Sequence, residues 1–99
     1  EAGLEAATWH PALKVEMTNS ITDERAMAWL AWGLTPVPIA PDPTEIIRVA
    51  RVPFADLLRE IGNGAVRDMF TVATALRAYH MAREGALPPE LAKALLSGL

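Results

Sequence analysis

Apolar residues in the second half of the chain recur at helical spacing. Phe54, Leu57, Leu58 and Ile61 stand at i, i+3, i+4 and i+7, the stripe of a helix with one buried side. Pro53 opens it at the first turn, where a missing N–H costs nothing, and Gly62-Asn63-Gly64 ends it. Asp68 is placed to cap a longer helix from Met69 to about Glu84. Phe70, Val72, Ala73 and Leu76 supply its expected buried side, with His80 as a further candidate, and Gly85 closes it. Pro88-Pro89 starts a short last helix carrying Leu91, Leu95 and Leu96.

The first half reads differently. Gly3 suits the left-handed position just beyond a helix end. Ala6 to Met17 mixes the β-formers Thr8, Trp9 and Val15 with a break at His10-Pro11, which predicts two strand pieces or one strand bent at the proline. "NSITDERAMAWLAWGL" is ambiguous. Ser20 with Asp23 resembles a capping box, and Ile21, Met27, Leu30, Ala31 and Leu34 fit helical spacing. Yet Met27, Trp29 and Ala31 alternate with Ala28, Leu30 and Trp32 as in a strand apolar on both faces. Local pattern slightly favours helix. "TPVPIAPDPT" (Thr35–Thr44) holds four prolines, so it predicts a loop or extended connector. "IIRVARV" (Ile46–Val52) predicts a strand. The class is mixed α and β, in one domain.

Composition narrows the chemistry. The 99 residues are 52% hydrophobic, much of it alanine, so disorder is expected only at the ends. Nine basic against twelve acidic residues give −3 and no basic stripe, which argues against a nucleic-acid partner. Without cysteine there is no thiolate zinc site and no cysteine nucleophile. The longest apolar stretch, Ala26–Ala40, is broken by Pro36 and Pro38 and is shorter than the ~20 residues a membrane span needs. No membrane partner and a cytoplasmic location are therefore expected.

The two histidines, His10 and His80, lie far from both serines in sequence, and neither has a histidine at i±4. Surface or half-buried histidines are expected rather than a serine triad or a helical zinc pair. Trp9, Trp29 and Trp32 could stack a base or sugar, but aromatic residues in strands more often pack in a core. Glu45 stands between the proline-rich segment and the predicted strand, where a rigid sheet can aim a side chain into a cleft. Asp23 and Glu24 precede the Ala26–Trp32 segment and read first as turn or cap residues.

In their order, several segments resemble the Nudix hydrolase family, in its ADP-ribose and nucleotide-sugar pyrophosphatase branch. "EAGL" (Glu1–Leu4) matches the last four positions of the family's box, R-E-U-x-E-E-x-G-U, where U is aliphatic. "TNSITDERAMAWLAWGLTP" (Thr18–Pro36), "PTEIIRVARVPFADLL" (Pro43–Leu58) and "GNGAVRDMFTVATAL" (Gly62–Leu76) resemble later family segments. The resemblance covers about residues 1 to 80.

It implies the C-terminal part of an α/β/α Nudix sandwich, with mixed sheet strands under two or three helices. About 1–84 would be domain core and 86–99 a helical tail. It also implies a strand over Arg25–Gly33, against the local helical preference. The activity implied is Mg²⁺- or Mn²⁺-dependent cleavage of a nucleoside diphosphate linked to another moiety, in a homodimer. Glu1 and Glu45 correspond to metal ligands of the family, and Asp23 and Glu24 become candidates for substrate contact. Pro43 stands where the branch often has its general base, so either another acid, Asp42 or one in the missing segment, activates the water, or the chain is a non-catalytic nucleotide-binding or regulatory module. The rest of the box would lie in a missing N-terminal half, so residues 1–99 alone are expected to be inactive and poorly folded, with strand edges bare. A small α/β interaction domain unrelated to the family is the remaining alternative.

Overall fold

The structure, a computed structural model, describes residues 3–16, 25–38 and 49–99. Two strands, β1 (Leu4–Glu16) and β2 (Arg25–Pro36), pair antiparallel, from Leu4 opposite Pro36 to Glu16 opposite Arg25. Three helices follow: α1 (Phe54–Gly62), α2 (Met69–Arg83) and α3 (Pro89–Leu96). Among the described residues the fold is therefore mixed α+β, with a two-stranded antiparallel sheet and three helices.

The segment with the ambiguous pattern is a strand. The local helical preference fails because β2 is apolar on both faces and its partner β1 decides the conformation. β1 is one strand rather than two pieces. It absorbs its proline at a bulge between Pro11 and Leu13, which leaves Ala12 without a partner across the sheet. Ahead of the bulge His10 faces the helices, and beyond it Leu13 and Val15 do; all three are half-buried. Trp9, Pro11 and Lys14 are exposed on the opposite face.

The strand expected over Ile46–Val52 is not formed in its described part. Val49–Val52 carries no regular structure, and Val49 and Val52 are exposed. β-branched composition supplies a preference, but a strand needs a neighbour to hydrogen-bond, and among the described residues none pairs with this stretch. Residues 46–48 of that stretch, and residues 39–44 of the proline-rich segment, lie outside the described residues. At its described start the proline-rich segment leaves the sheet with the Val37 N–H donating to the Gly3 carbonyl at 2.8 Å.

The helices form where their boundary residues place them. Pro53 caps α1 one position ahead of its expected place, and Phe54, Leu57, Leu58 and Ile61 are half-buried as one stripe. The Asp68 carboxylate accepts from the Thr71 N–H at 3.0 Å and from the Thr71 hydroxyl at 2.9 Å. At the other end of α2 the Ala86 N–H reaches back to the Met81 carbonyl at 2.9 Å, across Gly85 at φ +77°. This is the left-handed ending that only glycine enters without strain.

The buried side of α2 is not the expected one. Ala75, Ala78, Met81 and Ala82 are buried, while Phe70, Leu76 and His80 are exposed. Alanines let the helix backbone come close to its neighbours, which the bulkier stripe would prevent. Met81 and Ala82 join Ala12 of the bulge and Leu87 in one cluster, flanked by Leu30 of β2 and by Leu91, Ala92, Leu95 and Leu96 of α3. Met81 and Leu87 are its large members, each stabilising by roughly 1.5–3 kcal/mol on burial.

Covering is incomplete for a geometric reason. Thirteen residues of β1 extend about 43 Å at the strand rise. The fifteen of α2 reach only about 22 Å. Leu4 and Leu34 therefore stay exposed at one end of the sheet.

Two predictions follow from local geometry. Gly33 sits in β2 at φ +69°, and a Cβ there would come within 2.9 Å of the Ala7 Cβ. Gly33→Ala is expected to lower stability in urea denaturation by about 1–2 kcal/mol from the left-handed backbone alone, and further from the collision. Adding Ala7→Gly should relieve only the second part. The hydrogen bonds from the Thr71 backbone and hydroxyl hold Asp68 below its ordinary pKa of 3.8. Its stabilising effect is therefore complete above that value and disappears as pH falls through the lowered one. The melting difference between wild type and Asp68→Ala should be largest above pH 3.8 and should shrink on further acidification.

Candidate functional site

The acids singled out by sequence, Glu1, Asp23, Glu24, Asp42 and Glu45, all lie outside the described residues, as does Pro43. Among the described residues no group of three or more His, Asp or Glu side chains is placed to share a metal ion. No helix among them is long and apolar enough to cross a membrane.

What the described residues do form is an apolar groove of about 450 Å³ between the sheet and the helices. Leu30 of β2 forms its floor, Phe54 and Leu57 of α1 one wall, and Phe70 and Ala78 of α2 with Leu95 of α3 the rest. The groove follows from the alanine face of α2. Ala75 and Ala78 fill too little space between α1 and the sheet, and Phe70 is left at the margin. Its volume falls within the range of small-molecule sites. Its polar groups are the hydroxyls of Thr71 and Thr74, of which Thr71 already donates to Asp68. Among the described residues no titratable side chain lines it, so these walls can hold an apolar group but offer no group to move a proton.

A polar cluster stands on the neighbouring side of α2. Arg77 Nε donates at 3.2 Å to the carbonyl of Ala12, the residue that the bulge leaves out of the strand register. Arg77 Nη1 lies 3.0 Å from His80 Nδ1 and donates to Glu84 Oε1 at 3.2 Å. Arginine can only donate, so Nδ1 of His80 accepts and the neutral ring carries its proton on Nε2. That nitrogen faces Glu84 Oε2 at 3.7 Å. The cluster ties α2 to β1 and orients an exposed imidazole.

Sequence reasoning did not single out Arg77 or the groove. A proline inside an expected strand was the available signal for the first, because a bulge there puts a residue out of register. Alanines at 75, 78 and 82, spaced i, i+3, i+7 beside a bulkier stripe, were the signal for the second. The expected histidine environments are observed: His10 is half-buried, 6.4 Å from the Trp32 ring, and His80 is at the surface. The core reading of the tryptophans holds for half-buried Trp32 and fails for Trp9 and Trp29, which are exposed.

No protein-family model matches the chain, and no curated protein or solved structure is found to be similar to it.

Arg77→Met should destabilise the chain by about 1 kcal/mol, the scale of one lost charged hydrogen bond to a partly buried carbonyl. Glu84→Gln, which removes only an exposed partner, should cost much less. Urea denaturation of both variants checks the order, and equal losses would place the anchor at Glu84 instead.

Proposed function

We propose that this chain is the C-terminal part of a metal-dependent Nudix hydrolase that cleaves the diphosphate of a nucleoside diphosphate derivative, of ADP-ribose or nucleotide-sugar type. The observation that carries the reading is β2. The resemblance implies a strand over Arg25–Gly33 where local pattern slightly favours helix, and Arg25–Pro36 is a strand. Helices after Pro53 and Asp68 suit the covering layer of the same α/β/α sandwich. The unformed strand at Val49–Val52 is the feature that fits it least.

On this reading the remaining box acids come from polypeptide joined ahead of Glu1, and the active form is a cytoplasmic homodimer. Glu1 and Glu45 offer carboxylate oxygens, the donor type that Mg²⁺ or Mn²⁺ takes. A divalent ion held there would neutralise charge on the diphosphate. Asp42 takes the proton of the attacking water, since Pro43 beside it cannot. Asp23 and Glu24 contact the substrate from the segment between the strands.

Pro43 supports a second reading, a Nudix-fold module that binds a nucleotide without cleaving it. Phosphate release with Mg²⁺ from a panel of nucleoside diphosphate derivatives separates the two, using polypeptide that carries a complete box. Hydrolysis is expected, and Glu45→Gln should lower it about a hundredfold or more, since the ion stabilises several kcal/mol of developing charge. Unchanged turnover in that variant removes Glu45 from the metal site. Calorimetric binding of ADP-ribose without turnover favours the module, and neither binding nor turnover removes the family reading.

A further inference from the structure

The turn between α1 and α2 carries a reactive pair that neither the groove nor the polar cluster uses. Asn63 and Gly64 are adjacent, and residues 62–65 are all exposed. Asn63 closes α1, its N–H donating to the Arg59 carbonyl at 3.0 Å. Gly64 follows at φ +85° and donates to the Ile61 carbonyl at 3.3 Å, and the Val66 N–H reaches back to the Glu60 carbonyl at 3.1 Å. The side chain that fastens this turn is that of Asn63 itself, whose Oδ1 accepts from the Ala65 N–H at 2.9 Å.

We propose that Asn63 is a modification site: the Gly64 nitrogen closes a succinimide ring on the Asn63 side-chain amide, and water opens the ring to aspartate or isoaspartate. The Gly64 nitrogen gives up its proton and bonds to the Asn63 Cγ, and the side-chain nitrogen leaves as ammonia. Water then adds to either ring carbonyl and breaks that carbonyl's bond to the Gly64 nitrogen, which regains a proton. The net change is an amide and water becoming a carboxylate and ammonium. Local geometry assists each part. The Ala65 N–H on Oδ1 draws density from Cγ, as a positioned donor does at a carbonyl under attack. Gly64 has no Cβ, and nothing stands within 4 Å of where one would be, so its nitrogen approaches unhindered. Ring closure needs the Asn63–Gly64 peptide to swing from its ψ of 0°. The hydrogen bond that resists, Gly64 to Ile61, is the longest in the turn, and glycine accommodates the swing.

The products act differently on the fold. Aspartate leaves the backbone unchanged and keeps an oxygen where Oδ1 stands. Isoaspartate routes the main chain through Cβ and Cγ, adding a carbon between the Asn63 Cα and the Gly64 nitrogen. The Ala65 N–H then loses its side-chain acceptor, and the Val66–Glu60 hydrogen bond falls out of register. The new carboxylate sits on the Asn63 Cα at the C-terminal end of α1, where the helix dipole is negative and repels it. Isoaspartate thus unfastens the end of α1, the helix whose Phe54 and Leu57 wall the groove. The inference does not rest on the Nudix reading, and its test contains no nucleotide.

Asn19 and Asn63 are the only side-chain amides in the sequence, so ageing the 99-residue chain in mildly alkaline buffer gives a clean mass readout. Each conversion adds about 1 Da, an amide NH₂ exchanged for a hydroxyl. Mass spectrometry of the digested chain should place the gain in the peptide holding Asn63, resolved by chromatography into aspartate and isoaspartate forms. Asn19, followed by Ser20, should convert severalfold more slowly, because a side chain on the attacking residue restricts its backbone. Asn63→Gln, which needs a ring one carbon larger, should stop the gain at this position. Amide hydrogen exchange over α1 should quicken in the isoaspartate fraction and stay at the fresh rate in aged Asn63→Gln. No gain at Asn63, an equal gain at Asn19, or a gain that persists in Asn63→Gln would overturn the modification. Exchange over α1 unaltered by isoaspartate would overturn the unfastening.

Discussion

The contact between α2 and the bulge of β1 is the constraint on which the rest of the structure depends. A two-stranded sheet is marginal in water unless something covers one face, and here the cover is a helix whose contact side is mostly alanine. Ala78 and Ala82 bring the helix backbone close, Met81 and Leu87 add the larger buried surface, and Arg77 fixes the register by donating to the Ala12 carbonyl. The proline that interrupts β1 thus becomes the point of attachment. At its bulge the Ala12 carbonyl accepts from the helix, through Arg77 Nε.

The same contact determines what is left uncovered. Close approach at Ala78 and Ala82 leaves α1 standing off from the sheet, and the space between them is the groove floored by Leu30. A short helix over a long hairpin leaves the far end of the sheet bare. Because β2 is apolar on both faces, its second face stays open whatever the helices do. The groove's described lining offers shape and no proton, whereas the outer face offers aromatic area.

Legibility in the sequence followed the range of the forces involved. Pro53, Asp68, Gly85 and Pro88-Pro89 act on their own neighbours, and all three helices lie where these residues place them. Strands depend on partners distant in sequence. The apolar run of β2 satisfied both periodicities, so the pairing with β1 decided it, and Val49–Val52 had the right composition without a neighbour. The α2 face was misjudged for a related reason: size ranks Phe70 and Leu76 as core, but proximity to the bulge selects alanine. The candidate acids were read from spacing and resemblance, and Glu1, Asp23, Glu24, Asp42 and Glu45 all fall outside the described residues.

The two-sided apolar character of β2 links fold to function more closely than any single side chain. A strand at the surface of a finished sheet ordinarily alternates apolar with polar residues. Here Met27, Trp29 and Ala31 are as apolar as Ala28, Leu30 and Trp32, so β2 has the composition of a strand with a layer on each side. The helices provide one layer. The described residues give the outer face no layer, and Trp9, Met27 and Trp29 are exposed there. The pattern that made β2 hardest to read is the one that leaves apolar surface on both sides of the sheet.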